Sequence, residues 1–252
     1  SAMADATSAD LVLDRLRPEW RAGGFARDNG GVAFFTRVNA LIEPGMVVVD
    51  FGAGRGEAFQ GPDTYFARLA RLQGKAARVI GIDVDGAIAD HPFLDERYII
   101  APGAALPLAD ASVDMIVADW VFEHIAEPQA AAAEFDRVLK PGGWILARTP
   151  NAAGYVGIGA RLVPNRLHTR LLKRLWPGRA ARDVFPTAYR LNSPEALRAA
   201  FPPAAWRHYS YRANPTPKYF GRSPLLFRLI AAFQALVPGP MRTDLIVILR
   251  KR

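Results

Sequence analysis

Three acids stand where apolar runs end: Asp50 closes VVVD, Asp83 closes VIGID and Asp119 closes MIVAD. After the first comes FGAGRG, with glycines at 52, 54 and 56 around Ala53 and Arg55. Glycine carries no Cβ, so such a run turns sharply and lets backbone approach a ligand closely. The spacing is G-x-G-x-G, which lacks the later third glycine of pyrophosphate-binding loops. No Gly-Lys-Ser/Thr follows, so this is not a P-loop. An acid in the place of Asp83 can accept hydrogen bonds from two ribose hydroxyls and would repel a 2′-phosphate. The bland alternative is a solvated acid at a strand end. The glycine run one strand earlier favours the ribose role, and predicts a nucleoside ligand with little phosphate.

These residues need elements to hold them. The apolar patterns predict strands at Met46–Phe51, Arg78–Asp83, Tyr98–Ala101, Ser112–Asp119 and Trp144–Thr149. Helical spacing at 32–42, 65–72 and 129–139 alternates with them, and Pro141-Gly142-Gly143 is expected to stop the last helix. Near-continuous apolar strands separated by helices imply a doubly wound, mostly parallel α/β sheet covered on both faces. Ligands of such sheets sit at the carboxyl ends of the strands, near the switch point. The loops after Asp50, Asp83, Ala101 and Asp119 should therefore share one rim. Late strands are expected at 206–212 and 244–250. An apolar helix at 224–237 between them is read first as a buried core helix, with a membrane or dimer contact as the alternative.

From Leu106 to Asn151 the chain reads LPLADASVDMIVADWVFEHIAEPQAAAAEFDRVLKPGGWILARTPN. Together with VVVDFGAGRG and VIGID, this ordered set resembles the class I S-adenosylmethionine-dependent methyltransferases. The closest likeness is to the broad group that modifies small molecules, and it covers roughly residues 30–151. It implies a Rossmann-like, seven-stranded mixed sheet with a helical, basic lid inserted after strand 5. It divides the chain into an N-terminal segment at 1–29, a cofactor-binding core at 30–151, a basic lid at 152–192 and a completion of the sheet at 193–252.

The resemblance also implies roles. Asp50 and the backbone of Gly52, Ala53, Gly54 and Gly56 would hold the amino-acid part of S-adenosylmethionine. Asp83 would take the ribose, with Val84 beside the adenine. Asp119 and Trp120 would line the sulfonium side. In one place the chain departs from the family: an acid that often meets the adenine amino group is replaced by Ala101-Pro102-Gly103-Ala104-Ala105. Adenine would then rest on apolar contacts and on backbone such as that of Ala104. Methyl transfer to a hydroxyl needs a base. His124 and His168 are the candidates, with Asp119, Glu123 and Asp183 behind them, and Tyr155 and Tyr189 near the same pocket. For His124 the competing reading is a capping residue that orients its loop. His91 and His208 read as structural. No spacing of His, Asp and Glu suggests a metal site.

Bulk composition limits the rest. The 252 residues contain no cysteine, which removes disulfides, thiolate nucleophiles and zinc–thiolate sites. No secretory signal stands out, and no apolar run approaches the ~20 residues that span a bilayer. Ser1-Ala2-Met3 reads as a tag remnant before a native start at Met3, and the expected location is cytoplasmic, with peripheral membrane contact as an alternative. Residues 1–150 hold 14 Lys+Arg and 21 Asp+Glu, and residues 151–252 hold 18 and 3, so a front of −7 joins a back of +15. The basic stretch NRLHTRLLKRLWPGRAARDVFPTAYRLNS (165–193) is interleaved with aromatics. It fits a lid for a phosphate- or lipid-linked acceptor, a contact with an anionic membrane, or, ranked last, nucleic acid. No N-P-P-Y-like motif follows Asp119, which favours an oxygen or carbon acceptor. A sugar hydroxyl on a glycan or lipid-linked precursor leads, partly because DVFPTAYRLNS is similar to glycan-pathway methyltransferases. A quinone or phenolic lipid comes next, and a non-catalytic nucleoside-binding module stands as the reading from another class. The oligomeric state is not legible.

Overall fold

The computed structural model describes residues 8–155, 186–217 and 223–252. Most of the expected lid, including His168 and Asp183, lies outside the described residues. The strands are β1 (Val47–Phe51), β2 (Arg78–Asp83), β3 (Glu96–Ile99), β4 (Val113–Asp119), β5 (Leu139–Pro150), β6 (Trp206–His208), β7 (Tyr211–Ala213) and β8 (Asp244–Lys251). They form one sheet in the order β3-β2-β1-β4-β5-β8-β6, with β7 also paired to β8. Strands β1 to β5 run parallel, and β8 lies antiparallel to β5.

The edge strand expected at 206–212 is broken in two. β6 pairs with the last residues of β8 and β7 with the first. Between them the Ser210 side chain accepts the Ile248 amide at 3.0 Å, taking a place in the ladder that a backbone carbonyl would otherwise hold. Counted as one interrupted strand, β6 and β7 leave seven strand positions, as expected.

Strand alternation sorts the core into two layers. Val49, Ile80, Ile82, Ile116 and Ile145 face one layer, which is closed by Ala132, Phe135 and Val138 of α4 (Pro128–Val138) and Leu197 of α5 (Pro194–Ala200). Val48, Val79, Met115, Val117 and Leu146 face the other, closed by Phe34, Phe35 and Val38 of α2 (Gly30–Asn39) and Ala70 of α3 (Tyr65–Ala70). Side-chain caps fix the helix starts: Asn29 accepts from the Val32 amide, Thr64 from Ala67 and Ser193 from Ala196.

Pro141-Gly142-Gly143 does not merely end a helix. α4 stops at Val138, and the chain is already extended at Leu139. The Pro-Gly-Gly stretch is part of β5, at an irregularity in its pairing with β4 between Val113 and Met115. A Cβ on Gly143 would lie 3.0 Å from the Lys140 carbonyl oxygen and 3.1 Å from that of Asp114. The bulge therefore favours a residue without a side chain.

The apolar helix α6 (Pro224–Leu236) is not the core helix first expected. Phe227 is its one buried side chain, and it packs on Val12 of α1 (Ser8–Leu16) in a satellite cluster with Leu13, Leu16, Leu226, Ile230 and Ala231.

At the end of β5 the buried Asn151 ties the rim together. Its amide nitrogen donates to the carbonyls of Pro240 at 2.9 Å and Arg242 at 2.7 Å. Asn151→Ala strands both carbonyls. It should cost about 1–3 kcal/mol of stability, read as a lower Tm in thermal denaturation with no change of fold by circular dichroism.

Candidate functional site

Alternation along the strands also brings charge together. Asp83 and Asp119 end β2 and β4, and Asp50 stands one residue before the end of β1 between them; by the period of two all three lie on the face that carries Val79, Val48 and Val117. Arg148 of β5 pairs in register with Asp119 and continues the row. Its guanidinium is buried and grips the Asp119 carboxylate through two bonds of 2.7 Å. Burial opposes that positive charge, but Asp119, joined by Asp244 and Glu123, outweighs it and holds Arg148 protonated.

Asp83 is held differently. One oxygen accepts the Gly54 amide at 2.7 Å and the other the Asp85 amide at 2.8 Å. Each oxygen keeps a further lone pair. Asp50, in the middle, has no donor among the described residues. Loss of water, then Asp119, then Asp83 push its carboxyl up to about 7.

The glycine loop wraps the end of β1. Gly52, Gly54 and Gly56 all have positive φ, at 77°, 54° and 72°. A Cβ on Gly52 would come within 2.3 Å of Val121 Cγ2, and one on Gly56 within 2.8 Å of His91 Cδ2. The loop thus fits between the segments that follow β4 and β2. It could not do so with side chains at these two positions.

A family model described as "Methyltransferase domain" matches residues 49–147, which span this row and loop. Over residues 49–147 the chain thus carries a methyltransferase domain, of the S-adenosylmethionine-dependent kind that its relatives are named for. Its sequence is 38% identical over 133 residues to a Mycolicibacterium smegmatis protein named "Probable S-adenosylmethionine-dependent methyltransferase", covering 51% of this chain and 47% of that one. It is 32% identical over 115 residues to the malonyl-[acyl-carrier protein] O-methyltransferase 1 of Coxiella burnetii, covering 46% and 36%. The match thus spans about half or less of these relatives. The fold is that of an S-adenosylmethionine-dependent methyltransferase from Mesorhizobium loti, with a TM-score of 0.52 at 17% identity, over 88% of this chain and 99% of that one.

The row suits the cofactor of this family. S-adenosylmethionine carries a sulfonium and an ammonium, and the domain offers three carboxyl groups of which, among the described residues, only Asp119 is paired with a cation. Beside Asp83, Val84 is 45% exposed and Ile99, its neighbour across the β2–β3 ladder, is 60% exposed. Ile99 is paired with Asp83 and Val84 follows it, so two exposed apolar side chains lie next to this acid, one across the ladder and one along the chain. The sequence reading missed Ile99, although an isoleucine ending a short strand beside an acid is a usable signal. Ala104 sits in a turn, and its amide is spent on the Ala101 carbonyl at 3.0 Å. Trp120 has a φ of 60°, rare for a bulky residue, and its amide donates to the Arg148 carbonyl. The Arg148 guanidinium lies 5.1 Å from the Trp120 ring centroid. Arg148 was also missed: its value depends on register with β4, which no local pattern reveals.

The FEHI segment divides its work. His124 Nδ1 is 2.9 Å from the Pro186 carbonyl oxygen, which ties the ring to the chain returning from the insertion. Glu123 turns inward and is buried. It accepts from Thr149 Oγ1 at 2.8 Å, Thr149 accepts from Asn192 at 2.7 Å, and the Glu123 carbonyl takes the amides of Ala188 and Tyr189. Burial pushes the Glu123 carboxyl up. The residue is thus a buried staple for residues 188–192. Tyr155 packs its ring on Phe233. His91 is buried against the loop, and burial followed by Arg97 pushes it down to about 4, so it is neutral. His208 bonds the Phe201 carbonyl. A surface depression of about 520 Å³ lined by Arg198, Trp206, Arg207 and Arg252 lies at the opposite end of the sheet from the carboxylates.

Asp50 makes stability depend on pH. Its folded pKa, about 7, lies above the ordinary value near 4. The ligand-free protein therefore keeps the benefit of the protonated acid below pH ~4 and loses it as pH rises through ~7. Asp50→Asn should match wild type near pH 4 and exceed its stability at pH 8 by an amount on the order of 1–3 kcal/mol, read by thermal melts across that range.

Proposed function

We propose that the chain transfers the methyl group of S-adenosylmethionine to an oxygen of a small molecule, with a sugar hydroxyl on a glycan or lipid-linked precursor as the leading acceptor. The observation that carries this reading is the row Asp83–Asp50–Asp119 beside a glycine loop that closes on Asp83. When bound, the cofactor supplies a methyl already activated on sulfur. The chain must then position the reacting groups and manage one proton.

In this reading Asp50 and the backbone of Gly52–Gly56 hold the ammonium end. Asp83 uses its remaining lone pairs on the ribose hydroxyls, and Val84 and Ile99 flank the adenine. The Asp119–Arg148 pair and Trp120 form the wall on the methionine side. His124 faces the acceptor. Its bond to the Pro186 carbonyl holds the tautomer with the proton on Nδ1 and the basic lone pair on Nε2. That nitrogen would take the acceptor's proton, which is the one proton the chain has to manage when the cofactor supplies its methyl. The named chemistry of the malonyl-carrier relatives, O-methylation, supports an oxygen as the target. The Glu123–Thr149–Asn192 network keeps the returning chain over the site.

The test starts with calorimetric titration of S-adenosylhomocysteine, with NAD as the control, and continues with an acceptor screen that takes glycans first. Wild type should bind the first ligand only. Asp83→Ala should lose at least about tenfold in affinity and lose turnover with it. His124→Asn should keep the affinity and lose about 10²-fold or more in kcat. Unchanged kcat in His124→Asn would remove the base assignment alone. Folded wild-type protein that does not bind S-adenosylhomocysteine would overturn the reading as a whole.

A further inference from the structure

α6 has the composition of a buried helix and the position of a surface one. Its sequence, PLLFRLIAAFQAL, contains a single charged residue, Arg228. A helix that is apolar all round belongs in a core or against an apolar boundary. Here only Phe227 is fully buried, at 1% exposure. Leu225 is 67% exposed, Leu229 59%, Phe233 50% and Leu236 83%. At 3.6 residues per turn these four fall within an arc of roughly 100°. Phe227 lies on the opposite side, and Arg228 flanks the arc, about 60° beyond Leu225. Met241, also exposed, follows in the turn after the helix. A continuous apolar stripe of this kind marks a contact surface.

Charge indicates what covers it. Arg228 and Arg242 are exposed next to the stripe, α6 carries no acid, and residues 151–252 hold 18 basic side chains against 3 acidic ones. A second copy docked face to face would bring these arginines towards their own images. An anionic bilayer satisfies both features: its headgroup–acyl boundary takes leucine and phenylalanine, and its surface charge attracts arginine. We propose that α6 lies flat on an anionic lipid surface, with Leu225, Leu229, Phe233 and Leu236 inserted and Arg228 and Arg242 among the headgroups. The helix leads through the Gly239–Met241 turn into β8, whose first residue, Asp244, pairs with Pro150. It therefore joins the sheet at the end that carries Asp119 and Arg148, and contact would bring lipid to the rim side of the domain. The proposal rests on the α6 surface and does not depend on methyl transfer.

The experiment is flotation of the full chain with vesicles, either phosphatidylcholine alone or with about 30% phosphatidylglycerol, at about 0.05 M and 0.5 M salt. Wild type should float with the anionic vesicles at low salt, bind phosphatidylcholine far less, and be released at high salt. The double variant Leu229→Glu, Leu236→Glu should lose at least about tenfold in partitioning. Because both side chains are exposed, its Tm should stay within about 2 °C of wild type. Five results would overturn the proposal. Wild type could fail to bind at low salt, or bind without regard to lipid charge. The double variant could bind as wild type does. A loss of many degrees in its Tm would mean that the chain itself covers the stripe. A wild-type dimer in analytical ultracentrifugation that the double variant dissociates would assign the stripe to a second copy.

Discussion

Three carboxylates at the ends of adjacent parallel strands repel one another, and the site is organised around that repulsion. Each is handled in its own way. Asp119 is neutralised by the buried guanidinium of Arg148. Asp83 is solvated by two backbone amides. Asp50 is left with neither, so its charge is disfavoured by burial and by both neighbours. A group in that position either keeps a proton or accepts a cation. A domain whose cofactor carries a sulfonium and an ammonium can use such a place, because the ligand supplies the charge that the protein withholds.

Much of the surrounding structure serves to hold the row. The parallel order β2-β1-β4 puts three strand ends side by side at the switch point, and β5 brings Arg148 into register with Asp119. The glycine loop is pinned from both sides, by Val121 and by His91, and Asp83 closes it through Gly54. Asn151 locks the rim end of β5 to the turn before β8. The buried Glu123–Thr149–Asn192 network secures residues 188–192 above. Positive φ at Trp120 is a local strain that this packing sustains, and it turns an indole towards Arg148.

The parallel strands were legible because both of their faces are buried, so their sequences are continuous valine and isoleucine. The loop was legible because only glycine takes left-handed backbone at such close quarters. Features that depend on register were hidden. Arg148 looks like an ordinary basic residue on a strand until Asp119 is set opposite it. Pro141-Gly142-Gly143 resembles a helix stop and is a strand bulge, since local composition does not distinguish the two. The expected edge strand breaks at Ser210 because one hydroxyl takes over a place in the ladder. α6 was misplaced for a related reason: apolar composition says that a face must be covered, and not by what. The pairing of His124 with Pro186 joins residues 62 positions apart, beyond any local pattern.

The most direct measurement is the titration of the Asp50 carboxyl by carbon-13 nuclear magnetic resonance, with Asp50→Asn to assign the signal. In ligand-free protein the midpoint should fall at about 7. Addition of S-adenosylmethionine should lower it by one or more units, to below about 6, because the ligand brings positive charge to the row. A ligand-free midpoint near the ordinary value of about 4, or a midpoint that saturating cofactor leaves in place, would contradict the account.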